Sequence, residues 1–245
     1  MEIATFLPSG WALAALWGVA FVAAIVQSGL GMGFGLTAAP LAALIDPHFV
    51  PAPMLTLGFL TSALGAWAER HQVIWREVGV ALTGRIAGII PAMLLLASLQ
   101  DRTRFLLFFG GMIGFAVVLS LAGWRLGFGA KRLFAMAGLS GLMGTITSVG
   151  APPLAMVYAE RPAAEARPTL AAFFALGCVV SLAGLWYAGW FGMREMVLAG
   201  LLLPPMIAGT LVGRRLQGRF ARRYRPALLG LAGVAAVILI VRGFS

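Results

Sequence analysis

Ser28-Gly29-Leu30-Gly31-Met32-Gly33-Phe34-Gly35, continued by Leu36-Thr37-Ala38-Ala39-Pro40-Leu41-Ala42, closes an apolar run that begins near Trp11. The run is long enough to cross about 30 Å of hydrocarbon as a helix. Its end is poorly suited to a helix: Gly29, Gly31, Gly33 and Gly35 alternate, and each glycine costs about 1 kcal/mol against alanine in a helix interior. A helix break is therefore expected here. Irregular backbone inside a bilayer is tolerated only where it is buried in protein or lines a polar cavity, and the N–H groups that open the following half-helix can hold an anion. Thr37 adds a hydroxyl beside the break, and Pro40 restricts how the second half-helix packs.

The rest of the chain confirms the solvent. Of 245 residues, 61% are hydrophobic and 11% charged, against about a quarter charged in soluble domains, so a water-soluble fold is excluded. A membrane β-barrel would alternate apolar and polar residues in short strands, whereas these runs are apolar on every side. The fold class is an all-α integral membrane protein of about eight transmembrane helices. Spans are expected near 11–30, 51–69, 77–98, 104–123, 131–148, 168–188, 194–213 and 226–243, joined by loops too short to hold a soluble domain. The stretch Met1–Gly10 has no basic n-region and carries Glu2, which is unlike a cleavable signal peptide.

The opening motif has an echo. Ser140-Gly141-Leu142-Met143-Gly144-Thr145-Ile146-Thr147-Ser148-Val149-Gly150-Ala151-Pro152-Pro153-Leu154-Ala155 aligns with residues 28–42 with one residue inserted, Ser-Gly-Leu at one end and Pro-Leu-Ala at the other. Gly58, Ser62, Gly65 and Trp67 stand at a constant offset from Gly177, Ser181, Gly184 and Trp186, and Arg76-Glu77 matches Arg194-Glu195. Two related four-helix repeats, 1–125 and 126–245, follow within a single membrane domain, each with a broken or re-entrant Gly-rich segment. Four true crossings per half make the repeats parallel; one re-entrant segment per half makes them inverted. Related breaks in two halves mark the binding site in repeat-built carriers, while close helix packing through small residues is the bland account of the same glycines.

The candidate substrate-binding set is Ser28, Gly29, Gly31, Gly33, Gly35, Thr37 and Pro40 in the first half, Ser140, Gly141, Thr145, Thr147, Ser148, Gly150 and Pro152 in the second, and Arg85. An arginine at membrane depth costs about 2.5–3.5 kcal/mol and is a functional candidate by default; a span that starts near Thr83 instead lets Arg85 snorkel to the interface. No Asp or Glu falls near the middle of any expected span and both histidines fall in loops. A basic interior without acids suits an anion rather than a cation. No catalytic residues are assigned, because hydrolase, zinc-protease and phosphate-loop motifs are absent. Neither a cofactor nor a metal is implied, and Cys178, alone in a span, has no partner for a disulfide or zinc site. The net charge of +10 is spread over short loops, which argues for orientation in lipid and against nucleic acid.

Taken together, Ser28 to Gly35 with Pro40-Leu41, the echo from Ser140 to Leu154, and Gly209-x-x-x-Gly213-Arg214-Arg215 resemble the TauE/SafE sulfite exporter family over nearly the full length. The resemblance implies a multi-pass permease of the bacterial inner membrane for sulfite, an organosulfonate or thiosulfate, with membrane lipid and the small anion as its partners; a homodimer is compatible with it. Phe34 interrupts the first glycine run, and Met143 to Thr147 replaces most of the second, so the second half offers hydroxyls where the first offers bare backbone. The competing class is a non-transporting membrane assembly protein whose glycines serve packing. With every span counted as a crossing, Lys and Arg divide about ten to seven, which favours both termini outside the cytoplasm.

Overall fold

The computed structural model describes residues 8–99, 101–216 and 219–244, and within them the chain is all-helical, without a strand. The Met1–Gly10 stretch read against a signal peptide lies mostly outside these residues. The helices are α1 (Gly10–Leu30), α2 (Phe34–Ile45), α3 (Ala52–Ala68), α4 (Trp75–Ser98), α5 (Arg102–Ala122), α6 (Ala130–Thr147), α7 (Ala151–Val157), α8 (Ala163–Tyr187), α9 (Met193–Leu201), α10 (Leu203–Leu216) and α11 (Arg219–Phe244).

Five of the described helices, α1, α4, α5, α8 and α11, are long and apolar enough to cross a membrane, and α9 with α10, bent by 50°, make a sixth if taken as one span. Two other expected spans coincide with α3, of 17 residues, and with α6, which opens on Lys131-Arg132. Their shortness and charge keep them below that requirement. Local chemistry explains the ends. The Asp101 side chain accepts from Thr103 N and Arg104 N at the start of α5, and Gly123, in the left-handed region, stops it.

Small residues let backbones touch and so reveal the helix directions. Trp17 Nε1 donates to Leu201 O, Gly209 lies against Phe21 and Ala24, and Gly213 against Ile25 and Ser28; α1 and α10 therefore run parallel. Gly84 on Phe134 and Gly88 on Gly138 make α4 parallel to α6. A Cβ on Gly88 would stand 1.8 Å from Gly138 O, so only glycine permits this approach. By contrast, Gly65 meets Ala171 while Glu69 pairs with Arg167, and Gly110 meets Ala236 and Ile240 while Gly243 meets Leu107. The pairs α3/α8 and α5/α11 are antiparallel.

Both broken segments are hairpins. Leu126 N, just before α6, donates to Met156 O near the end of α7, so α7 returns to the end where α6 began. Gly33 lies against the Val26 side chain, and Phe34 N donates to the Gln27 side chain, turning α2 back along α1; the turn that follows, Pro47–Phe49, touches α9, whose last residue, Leu201, accepts from Trp17 in the first half of α1. Each hairpin enters and leaves by one face. A first face then carries the start of α1, the links at 46–51 and 188–192, the end of α4, the start of α5 and the end of α11; a second face carries the links at 69–74, 123–129 and 158–162, the end of α10 and the start of α11.

This changes the charge division. Arg102, Arg104, Arg194 and Arg242 lie toward the first face. Arg70, Arg76, Arg125, Lys131, Arg132, Arg161, Arg167, Arg214, Arg215, Arg219, Arg222, Arg223 and Arg225 lie toward the second. The ten-to-seven division expected from alternate crossing fails because the α6–α7 hairpin returns to its own face, carrying the loop with Arg161 and Arg167 to the second face and moving the arginine-rich link before α11 with it.

Candidate functional site

The two breaks meet in the interior. α1 ends with Gly31 at φ +73° and its N–H on Gln27 O; Gly33 follows at φ +108° before α2 begins. α6 ends with Ser148 at φ +62°, the one described non-glycine residue with positive φ, a conformation that costs an L residue roughly 1–2 kcal/mol. Ser148 is held there by its own Oγ, which donates to Pro51 O at 2.8 Å. An added Cβ on Gly35 would lie 1.6 Å from Ser148 O, so the first turn of α2 rests directly on the second break.

Gln27, 4% exposed, braces the first break. Its Nε2 donates to Gly31 O at 3.1 Å and to Ser62 Oγ at 2.8 Å, and its Oε1 accepts from Phe34 N at 3.0 Å. Because Gly31 O can only accept and Phe34 N can only donate, the amide orientation is fixed. At the second break, Ser140 Oγ donates to Gly150 O at 2.6 Å, Thr147 Oγ1 donates to Met143 O and accepts from Val149 N.

Arg85 stands between the two breaks. It is 1% exposed, with Nη2 donating to Ser181 Oγ at 3.2 Å and Ser181 in turn bonded to Thr145 Oγ1 at 2.9 Å. Its guanidinium carbon lies 5.5 Å from the Phe173 ring centre and 5.9 Å from that of Phe174. Snorkelling is therefore not what Arg85 does. Gly177 and Gly141 make the space: a Cβ on Gly177 would stand 2.3 Å from Arg85 Cδ, and one on Gly141 would stand 2.4 Å from Arg85 O. Among the described residues, Nε and Nη1 have no hydrogen-bond partner, and Nη1 points toward the second break, 3.5 Å from the place a Gly150 Cβ would take.

Around this group lies a cavity of about 30 Å³, lined by Gln27, Gly33, Phe34, Gly35, Leu36, Gly58, Ser62, Arg85, Gly144, Ser148, Gly150, Phe174 and Cys178, among others. It shares Gln27, Gly33, Leu36 and Ala151 with a cavity of about 1030 Å³ that extends toward Glu69, Arg125, Arg161, Arg167 and Arg214 at the second face. At its mouth, Arg167 forms an ion pair with Glu69, and Glu77 accepts from Tyr158 Oη and Arg161.

Of the residues expected from sequence, Gly33, Gly35, Arg85, Ser148 and Gly150 line the small cavity. Ser28, Gly29, Gly31, Thr37 and Pro152 line the larger one. Ser140, Gly141, Thr145 and Thr147 are buried in the frame around Arg85 and the second break, and Pro40 is buried inside α2, lining neither. Gln27, Ser62, Gly144, Phe174, Cys178 and Ser181 were not in the expected binding set. The constant offset between Ser62 and Ser181 was the available signal: those two serines hold Gln27 and Arg85 respectively. No cluster of metal-ligating side chains occurs among the described residues.

Residues 16–239 match the family model described as sulfite exporter TauE/SafE. The chain belongs to the TauE/SafE family. No curated protein and no solved structure matches it. Family membership and five to six apolar helices make this TauE/SafE protein a multi-pass membrane protein of a transporter family whose role is sulfite export.

Proposed function

We propose that this chain exports sulfite or a closely related sulfur oxyanion across the bacterial inner membrane, binding it between the two hairpin tips beside Arg85. The observation that carries the reading is the buried, part-unpartnered Arg85 guanidinium at the junction of two irregular backbone segments. Burying an ion costs several kcal/mol unless a counter-charge joins it, and helix packing alone has no use for one. A bound anion supplies the missing partner for Nη1, and the first N–H groups of α2 at Gly35 and Leu36 add donors and the positive end of a helix. This argues against the scaffold alternative, in which the glycines would need no charge near them.

In this reading α3, α4, α5, α8, the α9–α10 pair and α11 cross the membrane, while α1–α2 and α6–α7 enter from opposite faces and return. The expected eight crossings become six crossings and two hairpins, and the halves are inverted. With thirteen basic residues toward the second face and four toward the first, the second face is cytoplasmic and both termini are outside. The large cavity then faces the cytoplasm, from which an exporter loads. The small cavity holds about two waters, so the tips part to admit the anion.

The energetics require no coupled ion. For a divalent anion leaving a cell at about −100 mV inside, the potential contributes about 2 × 2.3 kcal/mol, roughly a thousandfold ratio. The test is saturable flux of radiolabelled sulfite in proteoliposomes with the potential clamped by potassium and valinomycin. Flux above empty liposomes that follows the potential supports the proposal. Absence of flux for sulfite, thiosulfate and organosulfonates alike would leave the scaffold reading in its place.

A further inference from the structure

The two serines Ser62 and Ser181 hold unlike groups: Ser181 accepts from Arg85 on α4, whereas Ser62 accepts from Gln27 on α1. The side chains they hold, Arg85 and Gln27, both line the small cavity. One of these serines thus stands beside a cation and the other beside a neutral amide. All of the polar capacity seen for Gln27 is directed at the first break, to Gly31 O, Phe34 N and Ser62.

We infer that Gln27 is the positioning and charge-determining residue of the anion site. By tying Gly31 O to Phe34 N through one amide, it sets the turn between α1 and α2 and so aims the opening N–H groups of α2 at the cavity. Its neutrality is as important as its reach, because Arg85 is the sole ionisable group other than Cys178 among the residues lining that cavity. An acid at position 27 would cancel the charge the anion needs. This inference rests on the cavity beside Arg85 being the anion site.

The test uses the full-length chain in proteoliposomes with radiolabelled sulfite, and compares Gln27→Glu, Gln27→Met and Arg85→Gln with wild type at each pH. A protonated glutamic acid keeps the brace between Gly31 and Phe34, since its O–H donates to Gly31 O and its carbonyl accepts from Phe34 N, and it loses only the amide's second donor, to Ser62 Oγ; an ionised one cannot donate and adds a negative charge. Two unit charges about 8 Å apart at an effective dielectric near 20 differ by roughly thirtyfold in binding. Relative to wild type, Gln27→Glu is expected to raise the KM for sulfite by about that factor at alkaline pH and to recover as pH falls, with thermal unfolding in detergent little changed. Gln27→Met, which loses the brace without adding charge, is expected to be impaired equally at every pH. A Gln27→Glu protein that tracks wild type across the pH range would overturn the inference. If Arg85→Gln also transports normally, the failure lies in the anion-site reading; if Arg85→Gln is inactive, it lies in the role given to Gln27.

Discussion

Replacing Gly35 by alanine is the smallest change that separates the hairpin tips. The methyl carbon would sit 1.6 Å from Ser148 O and 2.6 Å from its carbonyl carbon. Ordinary contact begins near 3.4 Å, so one tip must withdraw by about 1.5–2 Å. Ser148 cannot yield alone, because its Oγ is tied to Pro51 O and its backbone already occupies the left-handed region. Overpacking of this kind costs about 1–3 kcal/mol, and each 1.4 kcal/mol is tenfold in an equilibrium. Gly35→Ala should therefore cut the rate of saturable sulfite flux by roughly five- to 150-fold while the protein still inserts. Gly18→Ala is the control, since nothing lies within 4 Å of the added methyl. It should transport normally. If Gly35→Ala matches Gly18→Ala in both flux and thermal stability, the tips do not touch and the site is not between them.

Other consequences follow from the same geometry. Gly33→Val places a β-branched residue at φ +108° with its Cβ 3.1 Å from Val26 Cγ1, and it should abolish flux without preventing membrane insertion, as read by fractionation and radiolabel uptake. Gly177→Ala should displace Arg85, whose Cδ lies 2.3 Å from the added carbon; a KM raised tenfold or more is expected, which flux against sulfite concentration measures. In a Cys178→Ala background, a cysteine at Arg70 or Trp124 should be shielded from an impermeant thiol reagent in intact cells, and a cysteine at Asp46 should be labelled, reporting which face is outside.

Much of the hairpin structure was legible in residues 28–35 and 140–152, because alternating glycines and a Pro-bearing second segment are too costly for continuous helix and the effect is local. The direction of the returning segment was not. Whether α7 continues or turns back depends on the φ +62° conformation of Ser148 and on Met156 reaching Leu126, which no window of hydropathy encodes. That ambiguity propagated into the charge division, since one returning hairpin moves two basic loops to the opposite face. Arg85 was visible as an intramembrane charge, but its partner Ser181, 96 residues away, and the space conceded by Gly141 and Gly177 are tertiary. Gln27 was hidden because glutamine beside a glycine run has no pattern of its own; its meaning comes from bonding Gly31, Phe34 and Ser62 at once.

Sulfite binding to purified Arg85→Gln, set beside wild type and Arg85→Lys by equilibrium dialysis with radiolabel, tests the anion site most directly. Removing a charged partner of a buried ion typically costs about 3–5 kcal/mol, so Arg85→Gln should bind at least a hundredfold more weakly. Arg85→Lys, which keeps the charge and loses the planar fork, should fall between the two. Wild-type affinity in a folded Arg85→Gln protein would contradict the account.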